Sequence, residues 1–306
     1  MKKIVIIGSR HPGTKNDAHT MAEHIAQKQA ALQVTVVYWE DLLFSINLQE
    51  QSVIDTASGT DLADAGHVIA INWYKGGKQA IYKDAAYTLA LYLQHHDVTF
   101  WNQEMATQRS TSKLSTMMQL ALLGCDIPAT RYSLSAAVLQ AQAQQLPCIL
   151  KAAQASRGRA NYLITDQASY AARLSQTQAT NPYLAQEYIA NEYDLRIVCF
   201  DGEPSMVMKR QRQDSKTHLN NVSQGAEATI LDKKLLGPAI LQSCRDICHV
   251  MGRNIAGIDL LPANDGTDRK VFLEVNAIPQ LTSGSFISDK LAALADSLTQ
   301  AERKEV

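Results

Sequence analysis

The alternation of strand-like and helix-like patterns over the first hundred residues constrains the fold more than any other feature of the chain. KIVIIG at 3–8, VTVVYW at 34–39, HVIAIN at 67–72 and VTFWN at 98–102 are short runs rich in β-branched and aromatic residues. Helical periodicity separates them from about Asp17 to Ala31 and again from Lys78 to His96. Strands alternating with amphipathic helices predict an α/β unit built on a parallel sheet. The loop GSRHPG after the first strand lacks the glycine spacing of a dinucleotide or phosphate loop, and reads as a plain βα connection. KGGK at 75–78 fails the same test, although basic residues at a helix N-terminus can hold an anion.

The texture changes after Asn102. A helix from about Ser110 to Gly124 ends at a glycine with Pro128 beyond it. A small α+β layer follows: a helix near 136–145, strand CILKA (148–152), a turn at Ser156 to Arg159, strand NYLIT (161–165) and a helix at 167–175. From Tyr183 strands dominate, as YLAQEYI (183–189), DLRIVCF (194–200) and PSMVMKRQ (204–211), before a helix near 235–251. GIDLLP (257–262) and KVFLEVNAI (270–278), joined by Asn264-Asp265-Gly266-Thr267, predict an antiparallel hairpin, and a helix closes the chain at about 288–302. The expected organisation is an N-terminal parallel α/β domain over 1–103, a small α+β subdomain over 104–190 and a C-terminal α+β subdomain over 191–306.

Composition removes several function classes. Hydrophobic residues at 46% and charged residues at 19% of 306 positions fit a soluble globular protein and exclude disorder. Lys plus Arg total 29 against 30 for Asp plus Glu, so no global field advertises nucleic acid or an anionic membrane. No stretch approaches the ~18 apolar residues of a membrane helix, and the apolar run after Met1-Lys2-Lys3 is too short for a signal-peptide core. Five scattered cysteines without a CxxC pair argue against a disulfide framework or a structural zinc site. These features predict a soluble, cytoplasmic protein.

Strand periodicity locates the chemistry in the second half, because alternate side chains share a face. Strict alternation puts Phe272, Glu274, Asn276 and Ile278 on one side of their strand and Val271, Leu273, Val275 and Ala277 on the other. Antiparallel pairing brings Asp259 of the partner strand to Glu274. Two carboxylates and an amide oxygen are hard ligands suited to Mg2+. By the same arithmetic Asp194 and Arg196 share a face, as do Arg210, Arg212, Met206 and Met208 on the next strand, which suggests a fork-shaped anion clamp. Lys151 ends an apolar strand before the Ser156-Arg157-Gly158-Arg159 turn, and Lys113 opens a helix, both positions where phosphates are welcome. Each basic residue taken singly reads equally well as a solvated surface group. The eight histidines are scattered, with no Ser-His-Asp or Cys-His arrangement; His218, close to this region, is most simply an exposed loop residue.

The order of these motifs carries more than any one of them. STSKL (110–114), GCDIPAT (124–130), CILKAAQASRGR (148–159), AQEYI (185–189), DLRIV (194–198), MKR (208–210), NNVSQGA (220–226), GIDLL (257–261) and EVNAIP (274–279) together resemble the ATP-grasp superfamily. Within it the pattern is similar to the RimK-type carboxylate-amine ligases, a group that includes ribosomal-protein glutamate ligases, LysX-like enzymes and glutathione synthetases. The resemblance covers about 100–290, and implies two ATP-grasp subdomains behind a less characteristic N-terminal domain.

The resemblance also implies roles. Lys113 and Lys151 would contact ATP phosphates, with Ser156, Arg157 and Gly158 in a loop closing over them. Gln186, Glu187, Tyr188 and Ile189 would read the adenine edge, with Glu187 as its polar contact, and Asp194 would contact ribose or orient Arg196. Asp259, Glu274 and Asn276 match the Mg2+ ligands, with two ions expected and Mn2+ as a substitute. Arg210 and Arg196 would neutralise the transferred phosphoryl group, and Asn221 would lie beside the γ-phosphate. Two departures stand out: only Gly158 remains in a loop usually richer in glycine, and Pro279-Gln280 replaces the common Pro-Gly after the ExN motif.

The activity implied is ATP-dependent amide formation through an acyl phosphate, on an amino acid or peptide substrate. Arg157, Arg159, Arg212 and Lys216 favour an acidic one. Asp17, His19 and Trp73-Tyr74-Lys75 are candidate contributors from the N-terminal domain. Nucleic acid and membrane partners are not expected, and homo-oligomer formation stays open. A kinase on the same fold, or a nucleotide-binding regulatory module, would use the same nucleotide residues.

Overall fold

The computed structural model describes residues 3–10, 16–49, 51–71, 79–106, 112–142, 145–153, 160–176, 182–213, 220 and 226–304. The N-terminal part holds β1 (Lys3–Gly8), α1 (Asp17–Lys28), β2 (Gln33–Tyr38), β3 (Leu42–Ile46), β4 (Gln51–Asp55), β5 (Thr60–Asp61), β6 (Ala65–Ala70), α2 (Gln79–His95) and β7 (Thr99–Trp101). β1, β2, β6 and β7 form the expected parallel sheet in the order β2-β1-β6-β7. Ile4, Val5, Ile6 and Ile7 are all buried, as a central strand with both faces covered requires. One feature departs from simple strand–helix alternation. Between β2 and β6 the chain makes a separate antiparallel sheet, β3-β4-β5, in place of a second helix.

The rest of the chain comprises α3 (Lys113–Leu122), β8 (Thr130–Tyr132), α4 (Ala136–Ala141), β9 (Cys148–Ala152), β10 (Asn161–Ile164), α5 (Gln167–Ser175), β11 (Tyr183–Glu187), β12 (Tyr193–Phe200), β13 (Glu203–Gln211), β14 (Glu227–Leu231), α6 (Gly237–Met251), β15 (Ile255–Pro262), β16 (Lys270–Asn276) and α7 (Ile287–Lys304). Two antiparallel sheets result, a small one ordered β10-β9-β11-β8 and a large one ordered β14-β13-β12-β15-β16. Helix boundaries follow local chemistry. Ser112 caps α3 by accepting the Ser115 N–H at 3.2 Å, and α6 stops at Gly252, whose φ of 65° is the left-handed conformation of a helix C-terminus.

Three cores fix the arrangement. Leu195, Ile197, Val207, Ile258 and Leu260 on one face of the large sheet pack against Met117 and Leu120 of α3 and Ile247 and Met251 of α6. On the opposite face, Val198, Phe200, Met206 and Met208 pack under Leu291, Leu294 and Leu298 of α7, and that core continues into Ile4, Ile6, Met21 and Ile25 of the parallel sheet and α1. Each such fully buried side chain contributes about 1.5–3 kcal/mol, so the N-terminal sheet is cemented to the large sheet through α7. The small sheet has its own core of Cys148, Leu150, Ala152, Tyr170 and Leu174. All five cysteines are free thiols, and no helix among the described residues is long and apolar enough to cross a membrane.

Candidate active site

The face of the large sheet that α7 covers changes character along its strands. At one end it is apolar; at the other, cross-strand register lines up Asp194 opposite Arg210, Arg196 opposite Asp259, and Asp259 opposite Glu274. The expectation of strict alternation on β16 needs correction. Pairing shifts between Asp259–Glu274 and Leu260–Phe272, leaving Leu273 as the extra residue of a β-bulge. Phe272 therefore joins Val275 in the core behind the sheet, while Val271 and Leu273 pack with Ile189 and Leu261. Phe272 does not share the face of Glu274, and the apolar residues expected opposite are divided between both faces.

Two aspartates and two arginines interlock here. Arg210 donates from Nε and Nη2 to Asp194 at 2.6 and 2.9 Å, Arg196 donates likewise to Asp259 at 2.8 and 2.8 Å, and Arg210 Nη2 also lies 3.1 Å from Asp259. Asp194 thus orients Arg210, not Arg196, because register puts Arg210 across from it. Burial would raise the Asp259 carboxyl, but Arg196 and Arg210 outweigh it and hold the group at about 2. The two carboxylates raise the Arg210 guanidinium despite its burial.

The small sheet presents the opposing wall. Leu150 and Ala152 of β9 turn into its core, so Ile149 and Lys151 point the other way. With Gln186 from β11 they line, together with Asp194, Leu261 and Leu273, a cleft that also includes Glu187, Tyr188, Ile189, Asn191 and Asn220. Burial lowers the half-buried Lys151 ammonium to about 8, and Glu274 partly opposes that shift. Lys113, at the first position of α3, donates to the Ala153 carbonyl at 3.3 Å; burial lowers it too, and Glu274 again opposes. Both lysines and Glu274 therefore share one electrostatic neighbourhood at the cleft mouth.

Gln186 is buried and donates to Thr130 Oγ1 at 2.9 Å. Glu187 does not fit its expected role as the polar contact of an adenine edge. Its Oε1 accepts from Arg269 at 2.8 Å and its Oε2 from the Ala129 N–H at 3.1 Å, while residues 187–189 all border the cleft. Arg269 also holds Asp126 with two contacts of 3.0 Å, so one guanidinium ties both crossings into the small sheet to the large-sheet hairpin. Arg212 donates to Asn191 and, at 3.2 Å, to Asn220. Sequence reasoning missed Asn191, Arg269, Leu261 and Leu273; only Leu261 had a signal, two residues beyond Asp259 on the same strand face. Ser156, Arg157, Gly158, Arg159, Lys216, His218, Asn221 and Trp73-Tyr74-Lys75 lie outside the described residues.

The donor set fits a hard divalent cation. Asp259 and Glu274 are direct cross-strand neighbours, and Asn276 turns its Nδ2 toward the Gly257 carbonyl at 3.4 Å, which leaves the amide oxygen as a donor. Among the described residues no group of three or more His, Cys, Asp and Glu forms a self-sufficient metal cage. Two carboxylates and an amide need further oxygens, as a cation completed by phosphate does. The strand end is held from behind: Asn102 donates to Ile255 and Ala277 carbonyls at 2.9 and 2.6 Å, and Arg253 to Val275 at 2.6 Å. A Cβ on Gly257 would lie 2.4 Å from Pro279 Cβ, so glycine there lets the turn after Asn276 pack onto β15.

Comparison with known proteins bears on this arrangement. The chain is 25% identical over 213 residues to a probable alpha-L-glutamate ligase of Syntrophotalea carbinolica, covering 66% of this chain and 68% of that one. It is 27% identical over 205 residues to beta-citrylglutamate synthase B of Danio rerio, covering 64% of this chain but 49% of that one. Among solved structures, the ATP-grasp ligase PsnB with its minimal precursor superposes with a TM-score of 0.71 at 18% identity over 99% of both chains. The same ligase with minimal precursor, Mg and ADP gives 0.69 at 16% over 96% of both, so the whole architecture is shared. The family model described as a RimK-like ATP-grasp domain matches residues 110–294, the span that contributes both walls of the cleft, and the chain belongs to that family.

Proposed function

We propose that the protein is an ATP-dependent carboxylate-amine ligase that forms an amide bond through an acyl phosphate. One observation carries the reading: Lys151 lines a cleft with Ile149, Gln186, Leu261 and Leu273, and it and Lys113 lie within electrostatic reach of Glu274, the cross-strand neighbour of Asp259. That is an arrangement for a nucleotide whose base sits among Ile149, Gln186, Leu261 and Leu273 and whose phosphates reach the charged mouth. Main chain at 187–189 reads the base edge, because the Glu187 carboxylate is committed to Arg269 and Ala129.

Asp259, Glu274 and Asn276 would hold Mg2+, which when bound would supply charge neutralisation for the phosphates; two ions are expected, with Mn2+ able to substitute. Lys113 and Lys151 bind and orient the phosphate chain. Ionised Asp259 keeps Arg196 fixed, Asp194 keeps Arg210 fixed, and both guanidinium groups border the place where the γ-phosphoryl group transfers. A substrate carboxylate oxygen attacks the γ-phosphorus as the bond to the ADP oxygen breaks. An amine then attacks the acyl carbon, phosphate leaves, and the amine gives up a proton. The chain's work is positioning and electrostatics, since no residue among those described forms a covalent intermediate.

The substrates are amino acids or peptides, a class shared with the glutamate ligase and the precursor-bound PsnB to which the chain is similar. Ser156, Arg157 and Gly158 would close over the phosphates, and Asn221 would stand beside the γ-phosphate. Working boundaries near 103 and 190 separate the parallel sheet, the small sheet and the large sheet, in a cytoplasmic enzyme. The test is ADP release with Mg-ATP against paired amino acids and short peptides, with E274Q as control and mass spectrometry of each positive reaction. ADP dependent on two substrates, with a product one water lighter than their sum, supports the ligase. A stable phosphorylated single substrate would replace it with a kinase, and failure to bind ATP would remove the nucleotide assignment.

A further inference from the structure

Lys290, in the first turns of α7, is 1% exposed, an extreme value for a lysine. Its ammonium donates to the Gln280 carbonyl and, at 3.1 Å, to the Ser283 carbonyl. Those residues belong to the turn that follows Asn276, and Gln280 adopts a left-handed φ of 53° there. Pro279 of the same turn packs onto Gly257, and the Gln280 amide oxygen lies 3.2 Å from the position a Cβ on Gly284 would take. Lys290 therefore ties α7 to a turn that is already pressed against the metal strand's neighbour.

Its charge adds a second role. Arg196 acts on Lys290 electrostatically, which puts the two cations in one neighbourhood. Arg196 is answered by Asp259 and Arg210 by Asp194, whereas Lys290 makes no ion pair among the described residues. Arg196 and Arg210 are thus paired with aspartates and Glu274 faces Lys113 and Lys151, whereas the buried Lys290 ammonium is met by carbonyl dipoles, which compensate a charge poorly. A fold retains such an imbalance where a ligand brings the missing negative charge.

We propose that Lys290 is a positioning residue for this reaction: it fixes the 278–284 turn and, beside Arg196, biases that side of the site toward an anionic group of the phosphate or acyl phosphate class. The proposal rests on the ligase reading, and the residue acts through the turn and Arg196 without touching the reacting atoms.

The test measures binding of inorganic phosphate to MgADP-loaded protein by calorimetry, for wild type, K290M, K290Q and K290R. K290Q retains a donor for the turn without the charge, and K290R retains the charge. The expected result is phosphate binding weakened at least about 10-fold in K290Q and K290M, with MgADP affinity within about 2-fold of wild type and K290R within about 3-fold for both ligands. Should K290M fail to fold, K290Q against K290R decides alone. Phosphate affinity unchanged in K290Q, or phosphate and MgADP weakened equally, reduces Lys290 to a structural tie and overturns the proposal. Absence of MgADP binding in wild type is a separate outcome, which removes the ligase reading and this inference with it.

Discussion

Replacing Arg210 by methionine removes two hydrogen bonds of 2.6 and 2.9 Å to Asp194 and a contact of 3.1 Å to Asp259. The two aspartates do not suffer equally. Asp259 keeps both bonds from Arg196 at 2.8 Å, while Asp194, 4% exposed, loses its only charged partner among the described residues. An uncompensated buried carboxylate costs about 3–5 kcal/mol, so R210M should lower unfolding free energy by roughly that amount. Removing the stranded charge as well should return most of it: D194N/R210M is expected within about 1–2 kcal/mol of wild type. Burial pushes the Asp194 carboxyl upward, and without Arg210 only the more distant charge of Arg196 opposes that push. A carboxyl raised in the folded state loses stability as pH climbs through its folded value, so the R210M deficit should be smaller at pH 5 than at pH 8. Urea denaturation of the four proteins of this cycle at both pH values measures the coupling. Activity separates the roles, because the double variant should recover stability and remain inactive. A double variant as unstable as R210M would refute the argument that charge pairing dominates this site.

Three further outcomes follow from the geometry. G257A introduces a Cβ 2.4 Å from Pro279 Cβ and should displace the turn beside Asn276, cutting kcat by roughly 100-fold at a stability cost of about 1–3 kcal/mol; a kcat near wild type would show that the turn does not position the metal strand. Lys151 is lowered to about 8 from 10.5, so the folded protein favours its neutral amine and stability rises with pH across that interval. Phosphate oxygens restore the charge; ATP binding at pH 8.5 should therefore take up a proton, read by calorimetry in two buffers of different ionisation enthalpy, and uptake should fall in K151M. R269A releases Asp126 and Glu187 together. These groups are partly exposed, so stability should change by only about 1 kcal/mol or less, while the KM for ATP rises several-fold with kcat retained. A kcat that falls with KM unchanged would mean that the clamp does not set nucleotide affinity.

Legibility in the sequence tracked how local each determinant is. The pairing of Asp259 with Glu274 follows from two strands and a turn that are adjacent in the chain, and so does the Lys151 side of β9. The bulge at Leu273 was invisible, because it exists only in the pairing of two strands and moves Phe272 to the other face. For Asp194 the sequence left contact with ribose and orientation of Arg196 both open; only cross-strand register reveals Arg210 opposite it. Strands β3 to β5 hid in short runs such as LLFSI and QSVID, which carry no turn signature strong enough to mark them as strands, so the sequence reading assigned no element there. Arg269 and Lys290 look like ordinary polar positions of a turn and a helix, and acquire roles only when distant segments close around them.

Amide formation through an acyl phosphate leaves an isotopic signature in the phosphate released. Once the two-substrate screen identifies an acid, that acid is prepared with 18O in its carboxylate and turned over with Mg-ATP and its amine partner. An acyl-phosphate route puts one 18O atom into each inorganic phosphate released, with none appearing in ADP. Unlabelled phosphate accompanying amide product would contradict it, because the carboxylate oxygen would then never have bonded to the γ-phosphorus.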